Sequence, residues 1–147
     1  MTADYAADMA TWRYPAPYHC YDMAGTDPVS LLDPTSGFYA LVDETGLIGF
    51  RSFGLDGRVP GGSYDASALD TGGGLRPELT GKGLGSEAIS TGLMFGQRWF
   101  SPPAFRMTIA AFNVRAQTVV QSLGFTAISR FIALTDGKDY DIFVRPS

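Results

Sequence analysis

Cysteine and histidine are nearly absent from this 147-residue sequence, which has only Cys20 and His19. One cysteine rules out a disulfide framework within the chain, and one Cys plus one His falls short of the ligand set of a structural zinc site. Because the two residues are adjacent, their side chains should diverge, so no Cys–His nucleophile pair is expected. A Ser-His-Asp hydrolase is disfavoured by the single histidine and by the lack of a Gly-x-Ser-x-Gly elbow. No apolar run approaches the ~18 residues of a transmembrane helix, so no membrane partner is expected. Met1-Thr2-Ala3-Asp4 carries no basic n-region and no apolar h-region follows, which points to a cytoplasmic protein. Basic runs are also missing. With 11 basic against 15 acidic residues and a net charge of −4, nucleic acid is an unpromising partner, and a cationic one fits the surface better. The length, with no repeat or charge block, suggests one domain over residues 1–147.

The chain does hold 45% hydrophobic residues, enough for a core, with Gly 18 and Pro 9 marking many turns. Residues 2–12 read as a helix capped by Thr2, with apolar spacing at Tyr5, Met9 and Trp12. The aromatic, proline-punctuated segment Trp12-Arg13-Tyr14-Pro15-Ala16-Pro17-Tyr18 disfavours a helix. Its aromatics, with Tyr21, could line an acceptor pocket or pack the first helices on a sheet. A single helical turn fits 27–33. Apolar runs at 37–43 and 46–54 flank Asp43-Glu44-Thr45-Gly46, a hairpin signal. A loop covers 55–65, and 67–76 reads as a strand interrupted by Gly72-Gly73-Gly74. The longest helix spans 83–99, where Gly92 and Gly96 suit close packing on a sheet. Alternation at Phe105, Met107, Ile109 and Ala111 marks a strand. Asn113 caps a helix to about Leu123, and Gly124 stops it. A final hairpin joins strands around 125–134 and 140–144 through Thr135-Asp136-Gly137-Lys138. The order helix, β, β, β, helix, β, helix, β, β predicts an α/β fold, a mixed sheet flanked by helices.

Thr80-Gly81-Lys82-Gly83-Leu84-Gly85-Ser86 joins the glycine-interrupted strand to the long helix. The first N–H groups of a helix lack internal partners, and with the helix dipole they form an anion site. Glycines allow a diphosphate to approach such backbone closely, and Lys82 adds positive charge. A Walker A motif needs Ser or Thr where Gly83 stands. A dinucleotide fingerprint needs an acidic residue about 20 positions on, and Ser101 to Arg106 has none. Taken alone, the motif fits an anion site or a plain tight turn.

The segment Leu75-Arg76-Pro77-Glu78-Leu79-Thr80-Gly81-Lys82-Gly83-Leu84-Gly85 resembles the acyl-CoA signature of the GNAT superfamily of N-acyltransferases. Asn113-Val114-Arg115-Ala116 followed by Gly124-Phe125 resembles that family's second motif. The two occur in the right order, separated by a helix and a strand, and the likeness covers roughly residues 37–145. The resemblance implies a mixed, mostly antiparallel sheet. It implies that Thr80, Gly81, Lys82, Gly83, Leu84, Gly85 and Ser86 hold the diphosphate of coenzyme A. The backbone at Leu75 and Arg76 would bond the pantetheine arm, and Asn113, Arg115 and Ala116 would lie at the cofactor. A bulge at Gly72-Gly73-Gly74 would splay this strand from the 105–111 strand and leave a slot for the arm, the other reading of the three glycines being a plain flexible loop. The implied activity is transfer of an acetyl group from acetyl-CoA to a primary amine on a small molecule or peptide, with no metal. The alternative is a module of the same fold that binds coenzyme A without turnover.

Direct transfer needs a neutral amine, a polarised thioester carbonyl and a stabilised thiolate. The Leu75 N–H is the candidate for polarising the carbonyl. Asp70 is the candidate base, its other reading being a strand-end carboxylate. Three departures from the family stand out. Val120 occupies the place, seven residues after Asn113, where many members carry a general-acid Tyr, leaving Tyr18, Tyr21, Tyr64 or no group for that role. Thr80 replaces a usual basic residue or Gln. Only Met1 and Thr2 precede the first helix, so the sheet is expected to lack the family's usual first strand, with a dimer partner or an exposed edge dealing with the unpaired backbone groups.

Overall fold

Local signals set most of the elements. The Thr2 hydroxyl accepts the Tyr5 N–H at 3.2 Å and opens α1 (Ala3–Met9). This helix stops short of the expected Trp12, because the Thr11 and Trp12 N–H groups turn back to Asp8 and Met9 in a tighter coil. The Asp27 carboxylate caps α2 (Pro28–Leu32), with proline at its first position. The hairpin β1 (Phe38–Asp43) and β2 (Gly46–Phe53) follows, then β3 (Leu69–Leu75). The second half holds α3 (Gly85–Phe100), β4 (Ala104–Ala110), α4 (Val114–Ser122), β5 (Thr126–Ile132) and β6 (Asp139–Pro146).

In the computed structural model, which describes residues 1–147, the strands form one sheet in the order β1-β2-β3-β4-β6-β5. Only β3 and β4 run parallel. The architecture is the mixed, mostly antiparallel sheet expected. No strand precedes α1, which leaves β1 as an edge.

Helix α3 lies close on the sheet because of its two glycines. A methyl on Gly96 would come within 2.7 Å of the Phe53 ring and 2.9 Å of the Phe105 ring, and one on Gly92 would strike the Arg51 side chain at 2.6 Å. Beneath α3 and α4 a core forms from Phe53, Leu93, Phe105, Val120, Phe125 and Phe143. A second cluster joins Ala6, Met9, Trp12 and Leu31 of the N-terminal region to Leu47 and Phe50 of β2. Burying a side chain of this kind stabilises the fold by about 1.5–3 kcal/mol. Val120 is 1% exposed within the first cluster, so an apolar residue at this position serves packing.

The junction of β3 and β4 positions the site. They pair only at Leu69–Phe105 and Asp70–Arg106, while β3 stays paired with β2 from Thr71 to Leu75. The two strands therefore part and leave a slot. The expected bulge at Gly72-Gly73-Gly74 is absent, since β2 and β3 pair there without any register shift. The slot arises because the parallel ladder ends.

Candidate active site

The turn after β3 follows from its glycines. Gly81 and Gly83 have φ of +73° and +81°, a left-handed conformation that residues with a side chain adopt at a cost. Leu84 stands at the cap position of α3, and its side chain offers no acceptor. From Gly81 through Glu87, no backbone N–H finds an acceptor within the protein. Such a run at the mouth of a sixteen-residue helix is a strong concentration of donors for an anion.

These amides border a cavity of about 1180 Å³ that runs from the turn through the slot to the aromatic N-terminal segment. The backbone of β3 feeds it. Arg76 N–H bonds to Ile48 O and Gly54 N–H to Asp70 O, both at 2.8 Å. With that register, the N–H and C=O groups of Gly73 and Leu75 must point away from β2, toward the slot. The Leu75 carbonyl accepts the Tyr14 hydroxyl at 2.6 Å. Burial, with help from Asp22 and Glu78, pushes the Tyr14 phenol well above its ordinary pKa, so it keeps its proton.

At the other wall, Asn113 caps α4, its Oδ1 accepting the Ala116 N–H at 3.1 Å. Its Nδ2 donates to the Tyr21 hydroxyl at 3.1 Å, and the Ala110 N–H donates to the same oxygen at 3.3 Å. The Tyr21 oxygen therefore accepts twice, and its own proton is left to donate. Burial pushes this phenol up to about 12. Arg115 stands over the Tyr18 ring at 4.4 Å, and its Nη1 lies 3.2 Å from where a Gly81 side chain would begin. It places a cation beside the turn that carries the unpaired amides.

Most of the expected site residues converge. Leu75, Asn113, Ala116 and the turn from Thr80 to Ser86, apart from Lys82, face this one cavity. Thr80 borders the cavity, but its hydroxyl at 2.7 Å and its N–H at 3.2 Å both donate to Pro77 O. Three residues do not fit their expected roles. Lys82 is exposed and outside the cavity lining. Arg76 spends its N–H on β2, its guanidinium ion-pairs with Asp8, and its Nε donates to Leu47 O at 3.0 Å. Asp70 is 2% exposed and outside the cavity lining. It accepts Arg106 Nε at 2.6 Å, Arg106 Nη2 at 3.0 Å and Arg58 Nε at 2.7 Å. A carboxylate enclosed by two guanidinium groups is a structural ion and is not placed to take a proton from an amine.

Tyr64 is likewise occupied, its hydroxyl bonding to Val59 N–H and Thr108. His19 points to Asp22 and makes no pair with Cys20, whose thiol is pushed up by burial. Arg51 was not assigned to the site from sequence, and Tyr14 was offered only as an aromatic of an acceptor pocket or of helix packing. A charge amid the apolar residues of β2 was a usable signal for Arg51. Nothing local in the sequence joins Tyr14 to Leu75.

No protein-family model matches the sequence, and no curated protein matches it. Solved structures do. A GNAT-family acetyltransferase of Bacillus anthracis superposes at a TM-score of 0.66, with 16% identity, over 99% of this chain and 86% of that one. A protein of Bordetella pertussis ascribed to the same family gives 0.70 at 22% identity, over 97% and 89%. A chimeric spermidine N-acetyltransferase SpeG of Vibrio cholerae gives 0.70 at 13% identity, over 98% and 89%. The chain therefore has the fold of the GNAT acetyltransferases.

Proposed function

We propose that this protein is an acyl-CoA-dependent N-acyltransferase that acetylates a primary amine. The observation carrying this reading is the run of unpaired amides from Gly81 to Glu87, opening on a cavity that continues along the free backbone edge of β3. A diphosphate suits the amides, and an amide-bearing arm suits the edge. Arg115 supplies the positive charge that Thr80 does not, in place of Lys82.

Bound there, acetyl-CoA supplies an activated carbonyl carbon, on which a C–N bond to the amine forms as the C–S bond breaks. The N–H groups of β3 that face the slot polarise that carbonyl. Tyr21 donates its proton to the departing sulfur and regains one from solvent. The amine's surplus proton leaves through water, because Asp70 is unavailable to it. The acidic surface, with a net charge of −4, favours cationic acceptors, and the spermidine acetyltransferases among the structural neighbours act on one such amine.

A second reading is a module that binds coenzyme A without turnover. It is favoured by Val120, buried where many family members carry a tyrosine. Calorimetry with acetyl-CoA, followed by thiol release over a panel of polyamines, amino acids and peptides, separates the two. Binding with thiol release supports the enzyme, and binding without it on any amine supports the module. No heat, or equal affinity for adenosine diphosphate, defeats both. Arg115→Ala should weaken acetyl-CoA binding by about tenfold, or ~1.4 kcal/mol.

A further inference from the structure

The floor of the slot holds a cation with no counter-ion. Arg51 projects from β2 between Gly73 of β3 and Gly92 of α3, and neither position has room for a side chain. A methyl on Gly73 would meet Arg51 Nη1 at 2.8 Å, and one on Gly92 would meet its Nε at 3.0 Å. The residue is 6% exposed. Its one hydrogen bond runs from Nη2 to the Thr71 hydroxyl at 2.9 Å, Nε has no partner at all, and the residue belongs to no ion pair. Burial draws its pKa down to about 10, which leaves it protonated at neutral pH. The one other guanidinium buried to this degree, that of Arg106, is matched by Asp70 and Asp65.

An unpaired buried charge costs several kcal/mol and persists where something compensates it. This one borders the cavity beside Thr71 and Gly73, at the far end of the free β3 edge from the anion-binding turn. That is the end where acyl group and amine meet in the acyltransferase reading, on which this inference rests. We propose that Arg51 receives a carboxylate carried by one of the two substrates, either at the end of the acyl chain or beside the accepting amine. The guanidinium fork matches such a group in two parallel hydrogen bonds, and the narrow glycine channel holds it in one orientation.

The test uses the full chain, its Arg51→Met variant and calorimetry. One arm compares acetyl-CoA with malonyl-CoA and succinyl-CoA. The other adds lysine or its decarboxylated counterpart cadaverine, and histidine or histamine, to protein saturated with coenzyme A. The expected result is a preference of roughly tenfold or more for the carboxylated probe in one arm, lost in Arg51→Met. The arm that responds identifies the substrate bearing the carboxylate. Thermal unfolding is read alongside. The variant should unfold at the same or a higher temperature, because an apolar side chain of similar length replaces an unpaired ion. Binding of coenzyme A thioesters with no preference in either arm overturns the carboxylate proposal and leaves the acyltransferase reading standing. So does a preference that survives in Arg51→Met, or a variant that unfolds at lower temperature and binds all probes equally weakly. No binding of any thioester overturns both readings.

Discussion

The two ends of β3 are built for opposite purposes. At Leu69 and Asp70 the strand pairs with β4, and the charges are matched. Asp70 receives two guanidinium groups, and Arg106 also bonds the Asp65 carboxylate at 3.0 Å and its carbonyl at 2.8 Å. From Thr71 to Leu75 the strand has β2 on one side and open cavity on the other. There the backbone of Leu75 and the guanidinium of Arg51 are left with capacity to spare. A buried ion pair with satisfied partners holds the sheet together where the strands meet, and unsatisfied polar groups gather where they part. The same strand thus closes the structure at one end and opens the site at the other.

The contrast can be broken most severely at its closed end. Asp70→Asn leaves Arg106 and Arg58 facing a neutral amide, and removing one partner of a buried ion pair costs about 3–5 kcal/mol. The midpoint of urea unfolding should fall accordingly. A variant that keeps its midpoint and loses turnover would return Asp70 to the role of base expected from sequence. At the open end, Tyr21→Phe removes the hydroxyl proton left free to donate but leaves the ring packed near Phe112. Loss of general-acid assistance should lower kcat roughly 100-fold, with acetyl-CoA affinity held. An unchanged kcat would show that the thiolate departs unaided.

The smallest effect lies where β3 ends. Asp8 on α1 is held below the ordinary carboxylate range, chiefly by its hydrogen bond from Arg76, with burial acting the other way. Because the folded value is depressed, this stabilisation is complete above the unfolded pKa of about 4 and is lost as pH falls through the folded value. The pair is partly exposed, so Asp8→Asn should cost ~1 kcal/mol or less at pH 7. The gap between the variant and the parent should narrow as pH falls below about 4. A constant gap across that range would mean that packing, not charge, joins α1 to β3.

How legible this was in the sequence depended on the range of the interactions involved. The N-caps at Thr2 and Asn113, the stop at Gly124 and the glycine turn at 81–85 act within a few residues, and each stands where the sequence placed it. The spacing of Gly92 and Gly96 likewise announced a helix pressed onto a sheet. Asp70 looked accessible because its partners, Arg58 and Arg106, lie 12 and 36 positions away and no local pattern marks them. Arg76 looked like part of the cofactor turn because the sequence does not reveal that Asp8 of α1 reaches across to it. The bulge was expected because three glycines suit one, whereas the slot opens by an interrupted ladder that needs no register shift.

The sequence by itself determined the elements, their order and the glycine turn with its unpaired amides at the mouth of α3, since these follow from backbone conformation and capping over a few residues. The tertiary structure decided which charges are neutralised and which are left open. Ion pairing depends on which strands lie side by side, and that is settled only when the sheet assembles. It also placed Tyr14 and Tyr21, far from the motifs in sequence, at the two walls of the slot.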